Sequence, residues 1–140
     1  MDVGVVRERL AAAAVAGLAT FKPKLQGFGY EPDSVTPPTF YVSGVTIDYN
    51  PDRGGGRLIQ YAVTGKLLVG KPDDKGAARR LDAMLSSGGI RTALEADGTL
   101  GGACEDVQVR TVNGYGEHEV AGVPYLGVDV ETYVWGFDHA

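Results

Sequence analysis

Two stretches of strict alternation constrain this chain more than any other feature. In "RLIQYAVTGKLLVG", Ile59, Tyr61, Val63, Leu67 and Val69 fall on one side and Gln60, Thr64 and Lys66 on the other. In "VPYLGVDVETYVW", Leu126, Val128, Val130 and Val134 oppose Asp129, Glu131 and Tyr133. A period of two sustained over such lengths is that of a β-strand with one apolar face, because successive side chains point to opposite sides of a sheet. Strands of this kind suit an antiparallel sheet, and their apolar face needs a cover from elsewhere in the chain.

Helices supply the cover. Val3, Val6, Leu10, Ala14 and Leu18 recur at helical spacing, and Gly17 or the segment before Pro23 ends that helix. "KPDDKGAARRLDAMLSSGG" predicts a second helix, with Pro72 in its first turn, Asp73 and Asp74 at the positive end of its dipole, and Gly88 at its stop. Ala77, Leu81, Met84 and Leu85 form its apolar stripe. A strand is expected in "TFYVSGVTIDY", with Tyr41, Val45, Ile47 and Tyr49 on one face that Ser43 interrupts. The glycine-rich "NPDRGGG" then joins it to the first alternating run as a hairpin. After a short helical stretch, "IRTALEA", a further strand sets Val107 and Val109 against Asp106, Gln108 and Arg110, and Asn113-Gly114 is expected to turn the chain.

The order helix, strand, strand, helix, strand, strand predicts a single α+β domain over residues 1–140. Its economical form is a two-layer sandwich, a mostly antiparallel four-stranded sheet with two main helices on one face. The segment "FKPKLQGFGYEPDSVTPP", with four prolines and no period, reads as a long irregular loop over about residues 20–38. Ordered loops of that length often form contact surfaces.

Charge narrows the function. The net charge is −5, with no basic stripe of the kind that displaces counterions from nucleic acid. Lys66, Lys71, Lys75, Arg79 and Arg80 are interleaved with Asp73, Asp74 and Asp82, as on a solvated helix face. Cys104 is the single cysteine, so no disulfide forms within the chain. "VRERLAAAAVAGLAT" is alanine-rich with Glu8 among its charges, which favours a helix over a signal peptide. No apolar run is long enough to span a bilayer. A soluble protein, cytoplasmic where it is made, is expected.

Candidate chemistry is sparse. Gly54, Gly55 and Gly56 lead into a strand, whereas a phosphate loop opens a helix. Glu117, His118 and Glu119 alternate in direction, and His139 lies close to the last residue, so a solvated loop outweighs a metal site. A catalytic thiol at Cys104 needs a base beside it, such as His118, and no serine sits in a nucleophile elbow. The carboxylate pairs Asp48 with Asp52 and Asp129 with Glu131 are accounted for by solvation. "DGTLGG", residues 97–102, reads as architecture: its glycines turn the chain into a strand while Leu100 anchors the turn. No catalytic, cofactor or metal residue is assigned, and the chain is expected not to be an enzyme. Aromatic residues are unusually frequent on faces assigned to solvent: Tyr125, Tyr133 and Trp135, with Phe137 just beyond. Aromatics are enriched at protein interfaces. Burial of this edge beneath the proline-rich loop is the alternative.

Taken together, "LDAMLSSGG", "IRTALEADGTLGGACEDVQVR" and "VPYLGVDVETYVW" resemble the tail terminator proteins of long, non-contractile-tailed (siphovirus-like) bacteriophages, most strongly over residues 57–135. The pieces that carry the resemblance are Ala93-Leu94 followed by Asp97, then Leu100-Gly101-Gly102 with the Val107/Val109 strand, and Tyr125-Leu126-Gly127 with its alternating run. The resemblance implies a virion protein, assembled in the host cytoplasm, that caps the tail tube at the head–tail junction and ends its growth. It implies a ring of α+β subunits, a hexamer, whose partners are other copies of itself, the tail tube protein and the head–tail connector. DNA would pass through its channel without specific binding, and neither cofactor nor membrane is involved. The interface residues expected are Asp52 and Arg53 at the first hairpin tip, and Tyr125, Tyr133 and Trp135 on the last strand. The alternatives are another connector or tube subunit and, from a different class, a small ligand-binding domain or enzyme using a cup between helices and sheet.

Overall fold

The computed structural model describes residues 1–51 and 57–137. In chain order it contains α1 (Val3–Gly17), β1 (Gln26–Phe28), β2 (Thr39–Asp48), β3 (Leu58–Gly70), α2 (Lys75–Leu85), α3 (Ile90–Glu95), β4 (Asp106–Val120) and β5 (Val123–Phe137). The five strands form one sheet in the order β1-β2-β3-β5-β4. The α+β class is as expected, and α3 is the short helical stretch expected in "IRTALEA", but the sheet is mixed and five-stranded, not a mostly antiparallel four-stranded one. The additional strand is in the proline-rich segment, where Gln26–Phe28 runs parallel to Thr39–Tyr41. Three residues are too few for a period to show. Gly27 lets this strand press against α1, since a Cβ there would stand 2.6 Å from Val15 Cγ2 and 2.7 Å from the Ala11 carbonyl.

The alternation of β3 and β5 buries the residues it singles out: Val63, Leu67, Val128, Val130 and Val134 are each at most 2% exposed. They share one continuous cluster with Val6 and Leu10 of α1, Leu81 and Met84 of α2, and Ile90 and Leu94 of α3. All three helices therefore cover the same apolar face. Asp2 caps α1 by accepting from the Val5 N–H, and Asp74 caps α2 by accepting from the Gly76 N–H. Pro72 thus precedes the second helix instead of opening it. Where α1 ends, Gly17 meets Ala93 of α3 so closely that a side chain would collide with it.

Two local expectations are corrected. A bulge between Val42 and Gly44 changes the phase of β2, so Phe40 and Val42 enter the main core while Tyr41 faces the opposite side. Val45 and Ile47 return to the core side after the bulge, so they do not share a face with Tyr41. Ser43, which interrupts the pattern, is the extra residue, and its hydroxyl donates to the Thr64 carbonyl at 3.1 Å. In addition, Asn113-Gly114 does not turn the chain. β4 continues to Val120, and the reversal falls at Ala121-Gly122, with φ of 52° and 80°. The Asn113–Gly116 stretch is instead a register irregularity within the strand, with Gly114 at φ 66°.

Candidate interaction surface

The face of the sheet away from the helices carries three successive groups of side chains. At the end near the β4–β5 turn, Tyr41, Leu68 and Val120 form a small apolar cluster with Val35 and Tyr125 packed against it. The Tyr125 hydroxyl donates to the Val35 carbonyl at 3.3 Å, so the proline-rich loop covers this end. Burial, then the nearby Glu31 carboxylate and its hydrogen bond, push the Tyr41 hydroxyl up to about 12.

Polar cross-strand pairs occupy the middle. Lys66 faces Asp129 and donates to its Oδ1 at 2.9 Å, while Thr64 faces Glu131 and donates to its Oε2 at 2.9 Å. Both carboxylates of the Asp129/Glu131 pair thus have protein partners, where the sequence suggested solvation alone. His118 joins this group from β4, with Nδ1 3.0 Å from Lys66 Nζ. It lies in a strand, opposite Tyr125, and not in the solvated loop expected for it.

The third group is aromatic. Tyr133 and Trp135 are half-buried, with ring centroids 5.8 Å apart at 85°, the edge-to-face arrangement that ring quadrupoles favour. Gln60, directly opposite Trp135, accepts from its indole Nε1–H at 3.0 Å. The Arg110 guanidinium lies 5.1 Å from the Tyr133 ring centroid. Phe137 beyond them is 44% exposed.

Of the expected interface residues, Tyr133 and Trp135 come together on this open face. Tyr125 is separated from them and lies beneath the loop. β5 is flanked by β3 and β4, so these aromatics are not on an edge strand. Asp52 and Arg53 lie outside the described residues. The Lys66–His118–Asp129 group escaped sequence reasoning. Alternation placed Lys66 and Asp129 on outward faces, but only the pairing register sets them opposite one another.

The "DGTLGG" turn is built by its own side chains. Asp97 accepts from the Thr99 and Gly101 amides at 3.0 and 2.8 Å, and Leu100 sits at φ 49° with only 3% of its surface exposed. Cys104 follows it. Burial, then the Asp106 and Asp97 carboxylates, push its thiol up to about 11, away from the thiolate a nucleophile needs.

Between helices and sheet, the cup is occupied by the main cluster of side chains. A groove of about 730 Å³ lies instead at the β4–β5 turn end, between Val35 and Pro37 of the loop, Pro72 after β3, and Val123 and Pro124 of β5. Lys71, Asp73 and Glu117 also line it. No helix among the described residues is long and apolar enough to cross a membrane. No protein-family model matches this chain and no curated protein matches it, so its functional reading rests on its own residues.

Proposed function

We propose that this chain is a ring-forming structural subunit of the phage tail terminator kind, which caps a finished tail tube and joins it to the head connector. The observation that carries the reading is the terminal hairpin. β4 and β5 are fifteen residues each, about 50 Å of strand, against a usual five or six residues. β4 is an edge of the sheet, and from Thr111 to Glu119 its residues are exposed or half-exposed. A long free edge is a ready template for pairing with another chain.

A closed ring needs two different surfaces on each subunit that fit one another. The opposite side of the sheet supplies a second free edge, because β1 pairs only with Thr39–Tyr41 and, among the described residues, no strand pairs with Ser43–Asp48 of β2 on the side away from β3. A net charge of −5 suits a channel through which DNA slides, since like charge disfavours lasting phosphate contacts.

Negative-stain imaging of the purified protein over a concentration series, with and without Mg²⁺, tests the proposal. Single closed rings with a central hole are expected. Long tubes would reassign the chain to a tube subunit, and monomers throughout would count against a self-assembling ring.

A further inference from the structure

The first part of the β4 edge is closed by side chains. The Val109 amide donates to Glu95 Oε2 at 2.7 Å, and the Val107 amide donates to Asp106 Oδ1 at 2.9 Å. Glu95 is the last residue of α3, whose Ile90, Ala93 and Leu94 are buried, and its Oε1 accepts from Arg91 Nε at 3.3 Å. A strand joining β4 here would have to take the Val109 amide from a carboxylate only 26% exposed, losing a charge-assisted hydrogen bond. Past Val109 the register shifts, which makes Arg110 the extra residue. Thr111, Val112 and Asn113 then pair regularly with Glu131, Val130 and Asp129. Among the described residues no side chain caps an amide of that stretch as Glu95 caps Val109.

β2 runs antiparallel to β3, β3 to β5 and β5 to β4, so β2 and β4 point in opposite directions. In a ring whose sheets meet edge to edge, the β4 edge of one copy therefore meets the β2 edge of the next as an antiparallel pair. Such a pair must also match faces. Val112 lies opposite Val130, hence on the core side, and is 39% exposed. On the free edge of β2 the core-side residues are Val45 and Ile47.

Two registers satisfy this. With Val112 against Val45, Ile47 falls against Val109, and the pairing needs the amide that Glu95 holds. With Val112 against Ile47, Asp48 falls against Thr111 beside Arg110, and β2 ends before Val109 is reached. The second register brings opposite charges together on the open face. Arg110 donates to Gln108 and lies over the Tyr133 ring, while Asp48, which accepts from the Asn50 amide, is in line with Gln60 and Trp135. Both side chains are exposed, and neither forms an ion pair with another described residue. We infer that Glu95 sets the register between copies: by holding the Val109 amide it stops the neighbour's β2 with Ile47 against Val112 and Asp48 beside Arg110. The inference rests on the reading that copies assemble, and it names the residues that meet.

Cysteine pairs introduced into the whole chain test it. Ile47 and Val112 lie on opposite edges of one sheet, so a disulfide between them joins two copies. Cysteines whose Cα atoms stand more than about 7 Å apart are not bridged, so a pair two residues out of register stays reduced. Ile47→Cys with Val112→Cys is expected to give disulfide-linked ladders on a non-reducing gel, and Val45→Cys with Val112→Cys is expected not to. Single-cysteine variants control for Cys104. Adding Glu95→Ala frees the Val109 amide, and the Val45 pair is then expected to cross-link. Asp48→Arg and Arg110→Asp, at exposed positions, should each weaken self-association at least about tenfold, and the two together should restore it. Cross-linking of the Val45 pair with Glu95 in place, a Val45 pair still reduced in Glu95→Ala, or no rescue by the double charge reversal would each overturn the inference. Absence of the Ile47 cross-link overturns it too, even where negative stain shows rings. Ladders without closed rings would uphold this junction and count against the ring alone.

Discussion

At Asp97 one carboxylate organises the entry to β4. Its Oδ1 accepts from the Thr99 amide and hydroxyl at 3.0 and 2.9 Å, and its Oδ2 from the Gly101 amide at 2.8 Å. Arg9 of α1 donates to the Leu100 and Gly101 carbonyls at 3.2 and 3.4 Å, tying the turn to the first helix. The hydrogen bond from the Thr99 amide, then that from the Gly101 amide, hold the Asp97 carboxyl below its ordinary value of 3.8. A carboxylate lowered by folding contributes stability that is fully present above 3.8 and lost as pH falls through its folded value. Asp97→Asn keeps the shape but removes an acceptor, so it is expected to lower the melting temperature at neutral pH. The gap between variant and wild type should close in acid, where the wild-type carboxyl is also protonated. Circular dichroism melts across the acid range check this, and a gap independent of pH would contradict it. The role of this turn as architecture was legible because its glycines and Asp97 act within six consecutive residues. Arg9 was not, since it arrives from ninety-one residues away.

At the scale of elements, periodicity found every long strand and helix but misplaced one turn. Asn113-Gly114 is a strong hairpin dipeptide in isolation. A turn there would remove Val120 from the sheet, where it is 7% exposed and packs with Tyr41 and Leu68. Long-range burial therefore overrides the local preference, and the chain reverses at Ala121-Gly122, between the paired Val120 and Val123. Both turn residues have positive φ, as a two-residue type I′ turn requires, and Ala121 is a poor occupant at φ 52°. Ala121→Asn is expected to stabilise the protein by about 0.5–1 kcal/mol, because Asn tolerates the left-handed region better than Ala. Urea unfolding would measure it as a higher midpoint with an unchanged slope. A lower midpoint would mean that Ala121 has a packing role outweighing its strain. The bulge at Ser43 teaches the same lesson: one inserted residue moves Tyr41 to the far face, and period alone does not show it.

For the whole molecule, strand order decides what the open face can do. Placing β5 between β3 and β4 sets Gln60 opposite Trp135 and Ala62 opposite Tyr133. No alternating pattern encodes that order, so the sequence yielded the aromatic residues without their setting. The two ends of the face then differ in kind. Tyr125 is committed to the proline-rich loop, while Tyr133, Trp135 and the exposed Phe137 lie where no helix among the described residues covers them. If rings form through this uncovered end, Trp135→Ala should abolish them while costing the fold only about 1–2 kcal/mol, because the side chain is half-buried. Tyr125→Phe deletes one hydrogen bond to the loop, worth about 1 kcal/mol, and should leave rings intact. Leu67→Ala, at a fully buried position, should cost about 2–5 kcal/mol and reduce rings only as far as it unfolds the subunit. Ring counts in negative stain, set beside the unfolding midpoint of each variant, separate the three. Rings that survive Trp135→Ala in a folded protein would move the contact to the free edges of β2 and β4. A Trp135→Ala chain as unstable as Leu67→Ala would instead make the indole part of the fold's own support, held by Gln60 and Tyr133.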